Sequence, residues 1–178
     1  MAITLNGSGT ITGVSSLATA LVNPVVTTTM GVGNATPAAS GAGITFPAAI
    51  SASSDANTLD DYEEGVWTPS VTSSSGSITT YTSSGTYTKI GKVVTVQGSF
   101  GITTAGTASG WAAISNYPFP TANSGSSQGV CRENTAGLIV FAVIQNNVST
   151  GYLIGSLAGG ITWTNGYLYY FNITYQTT

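Results

Sequence analysis

The chain has 178 residues, enough for one domain with an appended segment. Three basic and six acidic residues together make up 5% of the chain, whereas charged residues are roughly 25% of an ordinary soluble domain. Three basic side chains are too few to neutralise a nucleic-acid backbone. No apolar run approaches the ~18 residues of a membrane span. The composition therefore argues against nucleic-acid binding and membrane insertion.

Hydroxyl-bearing and β-branched side chains dominate the composition. The chain has 23 glycines, 22 serines and 29 threonines, and its apolar residues are mainly β-branched or aromatic. This mixture favours strands and turns over helices, so an all-β fold is expected. Because charge keeps isolated proteins soluble, a surface this poor in charge also favours burial against identical copies.

The N-terminal region, residues 1–54, contains apolar side chains but no element long enough to bury a core. Short β-like runs surround the turn Asn6–Gly9, one short helix is predicted within 15–24, and Pro37 and Pro47 interrupt the remainder. Long structureless loops are rare in compact domains. We therefore expect an extended shaft that intertwines with copies of itself.

The next segment, residues 55–65, contains five of the six acidic side chains. Thr58–Asp61 has the form of a helix capping box and Gly65 stands where a helix would end, so one helical turn is predicted at 59–64. We interpret the segment as a solvated, charged joint between two regions. The alternative is a cation, calcium for instance, held where three chains meet around an axis. Its candidate ligands are Asp60, Asp61, Glu63 and Glu64, and no other cofactor is expected.

The usual parts of a catalytic site are missing from the sequence. There is no histidine, so serine-hydrolase and zinc chemistry lack their common base and ligand. A glycosidase needs two acids facing each other across a cleft. A pairing of Glu64 with Glu133 is the arrangement that the sequence leaves open. We expect no enzyme and no catalytic residue, and we expect Cys131 to be a buried thiol.

The C-terminal region, residues 66–178, has the pattern of successive strands. A tight turn is predicted near Gly91, and it is followed by a strand in which Val94, Val96 and Phe100 share one face. Short turns recur at intervals of roughly ten residues, as in all-β domains. The pattern predicts an antiparallel, jelly-roll-like β-sandwich.

Two later segments of this region refine that expectation. In 161–175, apolar residues fall on odd positions, while Asn172, Thr174 and Gln176 point the other way. The run 138–145 is apolar at every position up to its last residue, so it predicts a strand covered on both faces.

Candidate ligand-binding residues lie in or near two stretches that are expected to be exposed loops, 103–110 and 115–129. Aromatic rings there could stack on sugar rings, while amides and hydroxyls would provide hydrogen bonds. The alternative is that these rings belong to the core, as aromatic rings more often do. The candidates are Trp111, Tyr117, Phe119 and Asn123.

Several stretches resemble one known group of proteins. ITFPAAISASSDANTLDDYEEGVWTP (44–69), followed by SGTYTKIGKVVTVQGSF (84–100), resembles a module of tail-fibre and related structural proteins of bacteriophages and cyanophages. The N-terminal ITLNGSGTITGVSS and the stretch MGVGNATPA (30–38) are similar to the openings and shafts of such fibres. The remaining C-terminal part is similar in character only.

The resemblance implies a homotrimeric virion fibre that is assembled in the cytoplasm of a bacterial host. Residues 1–54 would contact other virion proteins and form the shaft, 55–65 would be the joint, and 66–178 would be a head that faces host polysaccharide or protein. The chain is short for a long tail fibre, so a short tail fibre or a capsid fibre fits as well. Other classes stay open: a decoration protein with a structural role, a monomeric carbohydrate-binding module, and a depolymerase of surface glycans.

Overall fold

The computed structural model contains eleven strands and no helix within the residues that it describes, so the all-β prediction is confirmed for that part of the chain. The predicted turn Asn6–Gly9 and the predicted helix within 15–24 lie outside the described residues. Those residues are 28–49, 53–55, 57–123, 125–145, 151–154 and 160–178. The strands are β1 (Thr29–Gly31), β2 (Gly43–Thr45), β3 (Tyr62–Trp67), β4 (Ser70–Ser75), β5 (Thr80–Ile90), β6 (Val93–Thr104), β7 (Ser109–Ser115), β8 (Ser127–Glu133), β9 (Ile139–Ile144), β10 (Gly151–Ile154) and β11 (Leu168–Gln176).

Strands β1 and β2 form a small parallel sheet in the predicted shaft region. Thr29 pairs with Gly43, and the Thr29 hydroxyl donates a hydrogen bond to the carbonyl of Ala38 at 2.6 Å. Met30 and Ile44, one from each strand, are about half exposed. This pair of strands therefore has no core of its own within the described residues.

The other nine strands form one antiparallel sheet in the order β3-β5-β6-β11-β8-β9-β10-β7-β4. Its edge strands β3 and β4 lie at opposite ends of the ladder, although only Thr68 and Pro69 separate them in the chain. The last residue of β3, Trp67, and the first of β4, Ser70, are three Cα–Cα steps apart, which span at most ~11 Å. The sheet therefore curls until its two edges meet near these residues, while the hydrogen-bond ladder stays open there.

Side chains of β5 hold the two edges together. The Tyr81 hydroxyl accepts a hydrogen bond from the Val71 backbone N–H at 3.1 Å. The Ser83 hydroxyl donates to the carbonyl of Pro69 at 2.6 Å. Because β4 makes no backbone pairs with β3 or β5, these bonds satisfy polar groups that would otherwise face the open seam.

The concave face of the sheet carries the hydrophobic core. Val94, Val96 and Phe100 are at most 1% exposed, so the predicted shared face is confirmed. The odd-numbered residues of 169–175 are also buried, which confirms the alternation predicted for the last strand. Cys131 is fully buried, as expected. The core is thus formed by alternate residues of the strands, which point to the same face of the sheet.

Two glycines make room for two aromatic rings on this inner face. Gly85 and Gly98 pair with each other, and they stand between Trp67 on β3 and Phe171 on β11 in one line across four strands. A Cβ atom on Gly85 would collide with the indole, and one on Gly98 would collide with the phenyl ring. The two rings lie over glycine backbone and meet edge to face.

The prediction that 138–145 is covered on both faces is wrong for one face. Val140, Ala142 and Ile144 are buried, but Ile139 and Phe141 are 63% and 52% exposed. The described residues provide a core on the concave side of β9 and no second layer on its convex side. The face of the strand that carries Ile139 and Phe141 is therefore apolar without being covered.

The predicted helical turn at 59–64 is also wrong. The chain is irregular up to Asp61, and Tyr62–Trp67 is a strand that pairs with β5 along its whole length. The Asp60 carboxylate accepts a hydrogen bond from the backbone N–H of Ser53 at 2.7 Å, outside any helix. A paired strand satisfies more backbone groups than one isolated helical turn does, so tertiary pairing overrides the local capping pattern.

Candidate functional site

A shallow groove crosses the convex face of strands β3, β5, β6 and β11. Its volume is about 480 Å³, and an adjoining depression of about 330 Å³ continues it onto β8. The two share Gln97, Gly98 and Tyr170 in their linings. The groove is thus a continuous feature on the side of the sheet opposite the core.

Outward-facing side chains line this groove in two rows. Alternate residues of each strand face outward, and the antiparallel register aligns them across neighbouring strands. One row is Val66, Thr86, Gln97 and Asn172, and the other is Ser84, Ser99, Tyr170 and Arg132.

Tyr170 is the exposed aromatic side chain of the groove, whereas Trp67 and Phe171, which also border it, are buried. Its side chain is 49% exposed, and it stands between Ser99 on β6 and Arg132 on β8. The hydroxyls of Ser84 and Ser99 lie 3.2 Å apart and form a hydrogen bond on the same face. A ring face bordered by hydroxyl, amide and guanidinium groups suits a flat ligand that carries many hydroxyls.

An apolar surface lies beside the groove, and we refer to it as the β8–β9 patch. It consists of Val130, Ile139 and Phe141, which are 58%, 63% and 52% exposed. Val130 pairs with Phe141 across the two strands, and Arg132 pairs with Ile139. Three large apolar side chains are therefore grouped on one face of the sheet, and Arg132 is the charged residue that pairs with one of them.

Two of the predicted ligand-binding residues are engaged inside the protein. Tyr117 is 6% exposed and its ring stacks on Trp67 at 5.0 Å, so it cannot offer a face to a ligand. Phe119 is half-buried: the edge of Tyr87 meets its ring at 5.5 Å, and the ammonium of Lys89 lies over it at 5.5 Å. Both rings hold the loop to the domain. Burial excludes the Tyr117 ring from ligand binding, whereas ligand binding by Phe119 stays a prediction.

The other two predicted ligand-binding residues are accessible. Trp111 on β7 is 48% exposed, and Asn123 is exposed in the loop between β7 and β8. Neither lines the groove. Sequence reasoning missed Tyr170, although one feature pointed to it. It is the aromatic residue among the polar, outward-facing even positions of the last strand.

A buried ion pair joins the acidic segment to β5. Asp61 is 6% exposed and Lys89 is 3% exposed, and the Lys89 ammonium contacts the Asp61 carboxylate. Burial lowers the pKa of Lys89, and the negative charge of Asp60 opposes that effect. One of the predicted cation ligands, Asp61, is therefore occupied by a lysine.

The two glutamates of the segment bond to tyrosines. The Tyr87 hydroxyl donates to Glu63 at 2.5 Å, and this bond, together with burial, raises the pKa of Tyr87 to about 12. The Tyr62 hydroxyl donates to Glu64 at 2.7 Å. Within the described part of one chain, no three acidic, histidine or cysteine side chains group as a metal site. A calcium ion shared by three chains stays a prediction.

Glu133 is buried in its own turn. Its two carboxylate oxygens accept hydrogen bonds from the backbone N–H groups of Thr135 at 2.6 Å and Ala136 at 2.5 Å. Burial alone would raise the pKa of Glu133, but these bonds outweigh it and lower the pKa. Glu64 is exposed on the edge strand β3, whereas Glu133 faces the core beside Tyr169. The structure does not bring the two acids together.

No family model, curated protein or solved structure matches the chain. The resemblance to phage fibres therefore stays an expectation from the sequence. Among the residues that the structure describes, no helix is long and apolar enough to span a membrane.

Proposed function

We propose that the chain is a homotrimeric virion fibre protein whose curved β domain, a sandwich-like head, binds a host surface. The observation that carries the proposal is the convex face of the sheet, where the Tyr170 groove lies directly beside the β8–β9 patch. One surface suits a hydroxyl-rich ligand and the other suits a protein contact. A virion fibre requires both.

The β8–β9 patch supports self-association. Val130, Ile139 and Phe141 expose apolar surface that a monomer would have to leave in water, at a cost of roughly 25 cal/mol per Å². The partner is a second copy of this chain, because few charges anywhere on the sequence oppose close approach of copies. The resemblance of residues 44–69 and 84–100 to fibre modules implies three copies.

The Tyr170 groove supports binding of host polysaccharide. Its ring, the hydroxyls of Ser84 and Ser99 and the Gln97 amide give stacking and hydrogen bonding without a concentrated charge. A single shallow groove of this kind binds a polysaccharide weakly. Three copies on one fibre would raise the overall avidity by orders of magnitude, ~10²–10⁴-fold.

The test has two measurements on one purified protein. Native mass spectrometry should give three times the chain mass of 17.9 kDa. The same preparation should bind susceptible host cells and compete with virions for adsorption. A monomer at micromolar concentration would overturn the fibre proposal. A trimer that binds purified capsids and no host cell would replace host recognition with the role of a decoration protein.

A further inference from the structure

The side chains of Lys89 and Asp61 form a buried ion pair. The side chains are 4% and 8% exposed, and the Lys89 Nζ contacts Oδ2 of Asp61. The Gly91 N–H donates to the Asp61 carbonyl at 3.0 Å, which fixes the backbone of the aspartate against the turn after β5. The two side chains are thus held together on adjacent segments.

This pair has little of the support that buried charges need. Each buried charge loses several kcal/mol of hydration, which further hydrogen bonds have to offset. Among the described residues, Asp61 Oδ2 has no hydrogen-bond partner besides this ion pair, and the ring of Phe119 lies 5.5 Å from the Lys89 ammonium. Apolar surroundings favour a neutral acid and a neutral amine over two ions. A neutral amine is also the nucleophilic form of lysine.

We propose that Lys89 and Asp61 condense into an intramolecular isopeptide bond. After a proton passes from the ammonium to the carboxylate, Nζ attacks Cγ of the carboxylic acid. A C–N bond forms, one C–O bond breaks, and water leaves with the carboxyl oxygen, its hydrogen and one hydrogen of the amine. Atoms and electrons balance without an oxidant or a cofactor. The product is a buried amide that carries no charge.

The bond would secure the edge strand β3 to β5. Asp61 directly precedes β3, and Lys89 lies near the end of β5. The loop that closes between them contains β3, β4 and most of β5. An edge strand fixed in this way could not separate from the sheet without breaking a covalent bond, which suits a protein exposed outside a cell.

Intact-mass spectrometry of the denatured, full-length protein tests the proposal. The wild type should be lighter than its sequence mass by one water, whereas Lys89→Arg and Asp61→Ala should have their full sequence masses. Trypsin can cut after Lys89, Lys92 and Arg132 only. It should fail after Lys89 in the wild type, and tandem fragmentation should give no separation of the backbone between residues 61 and 89.

Asp61→Asn provides a second form of the test. An asparagine would form the same bond with loss of ammonia, so the variant should be lighter than its sequence mass by one ammonia. Circular dichroism shows whether each variant folds. Full sequence mass in the folded wild type, with tryptic cleavage after Lys89 and no change on prolonged incubation, would overturn the proposal. This result would leave the proposed fibre function untouched.

Discussion

The indole of Trp67 meets the phenyl ring of Phe171 edge to face, with ring centroids 6.2 Å apart and planes at 78°. Two strands separate these residues in the sheet, and the rings reach each other because the intervening positions are Gly85 and Gly98. The Trp67 Nε1–H also donates to the carbonyl of Gln97 at 3.3 Å. The glycine pair is therefore part of the core packing.

Gly98→Ala should destabilise the domain by about 1–3 kcal/mol, because the added methyl group would collide with the Phe171 ring. Gly101→Ala is the matched control on the same strand, where a Cβ would lie 3.2 Å from the exposed Thr82 hydroxyl and 3.6 Å from Leu168. Urea unfolding measures both variants. Equal losses of free energy of unfolding would contradict the packing role of the glycine.

Glu133 should make stability depend on pH. Its pKa is lower in the folded protein than its ordinary value of 4.5, so the folded state favours the ionised form. The stabilisation is present above pH ~4.5 and is lost as the pH falls through the folded pKa. Glu133→Gln should cost about 1–3 kcal/mol at pH 7, because one of two amide donors loses its charged acceptor.

Urea unfolding of the wild type and Glu133→Gln at pH 7 and pH 3 tests this dependence. The difference between the two proteins should shrink at the lower pH. A difference that stays constant between these pH values would show that the carboxylate charge does not contribute.

Removal of the exposed groove aromatic should weaken the proposed host binding. Tyr170→Ala should reduce binding of the assembled protein to host cells, or to their purified surface polysaccharide, by about tenfold or more, the equivalent of ~1.4 kcal/mol. Tyr62→Ala is the control, since Tyr62 is a tyrosine of similar exposure, 40% against 49%, outside the groove. Equal effects of the two substitutions on binding would show that the groove is not the binding site.

A charge in the β8–β9 patch should weaken the proposed self-association. Phe141→Asp places a carboxylate where an apolar ring is 52% exposed, so copies that bury this surface would have to bury an unpaired charge. Native mass spectrometry should show a shift toward single chains. Val66→Asp, at a position that is 82% exposed on β3, should leave the native mass of the assembly unchanged. Assembly that survives Phe141→Asp would place the interface elsewhere.

Cys131 should report unfolding. Its thiol is fully buried, and burial raises its pKa to about 12, so the reactive thiolate is scarce at neutral pH. A thiol reagent such as iodoacetamide should label the native protein negligibly and the urea-unfolded protein completely. Rapid labelling of the native protein would contradict the burial.

Local sequence patterns were sufficient to predict the buried face of strands in which apolar and polar residues alternate strictly. The odd-numbered residues of 169–175 were predicted to share a face, and they are buried because β11 has a core on one side only. The same one-sided arrangement explains the error at β9. Ile139 and Phe141 are apolar, but local sequence cannot tell whether a second layer covers them.

The joint and the groove depend on register, which local sequence does not encode. Thr58–Asp61 has a helix-capping pattern, yet pairing with β5 determines that the following residues form a strand. Tyr170, Ser99 and Ser84 come together because β11, β6 and β5 are neighbours in the sheet. The sequence alone predicts which face of a strand each side chain occupies. It does not predict which residue of the next strand lies opposite.

The position of β11 has a consequence for how the molecule is made. This strand, the last in the described chain, lies inside the sheet and joins β6 to β8. Without Leu168–Gln176 the ladder would fall into two parts, β3-β5-β6 and β8-β9-β10-β7-β4. Folding therefore cannot finish until these residues have left the ribosome, and a prematurely terminated product would display open strand edges on both parts. Incomplete chains could therefore not reach the folded state of the described sheet.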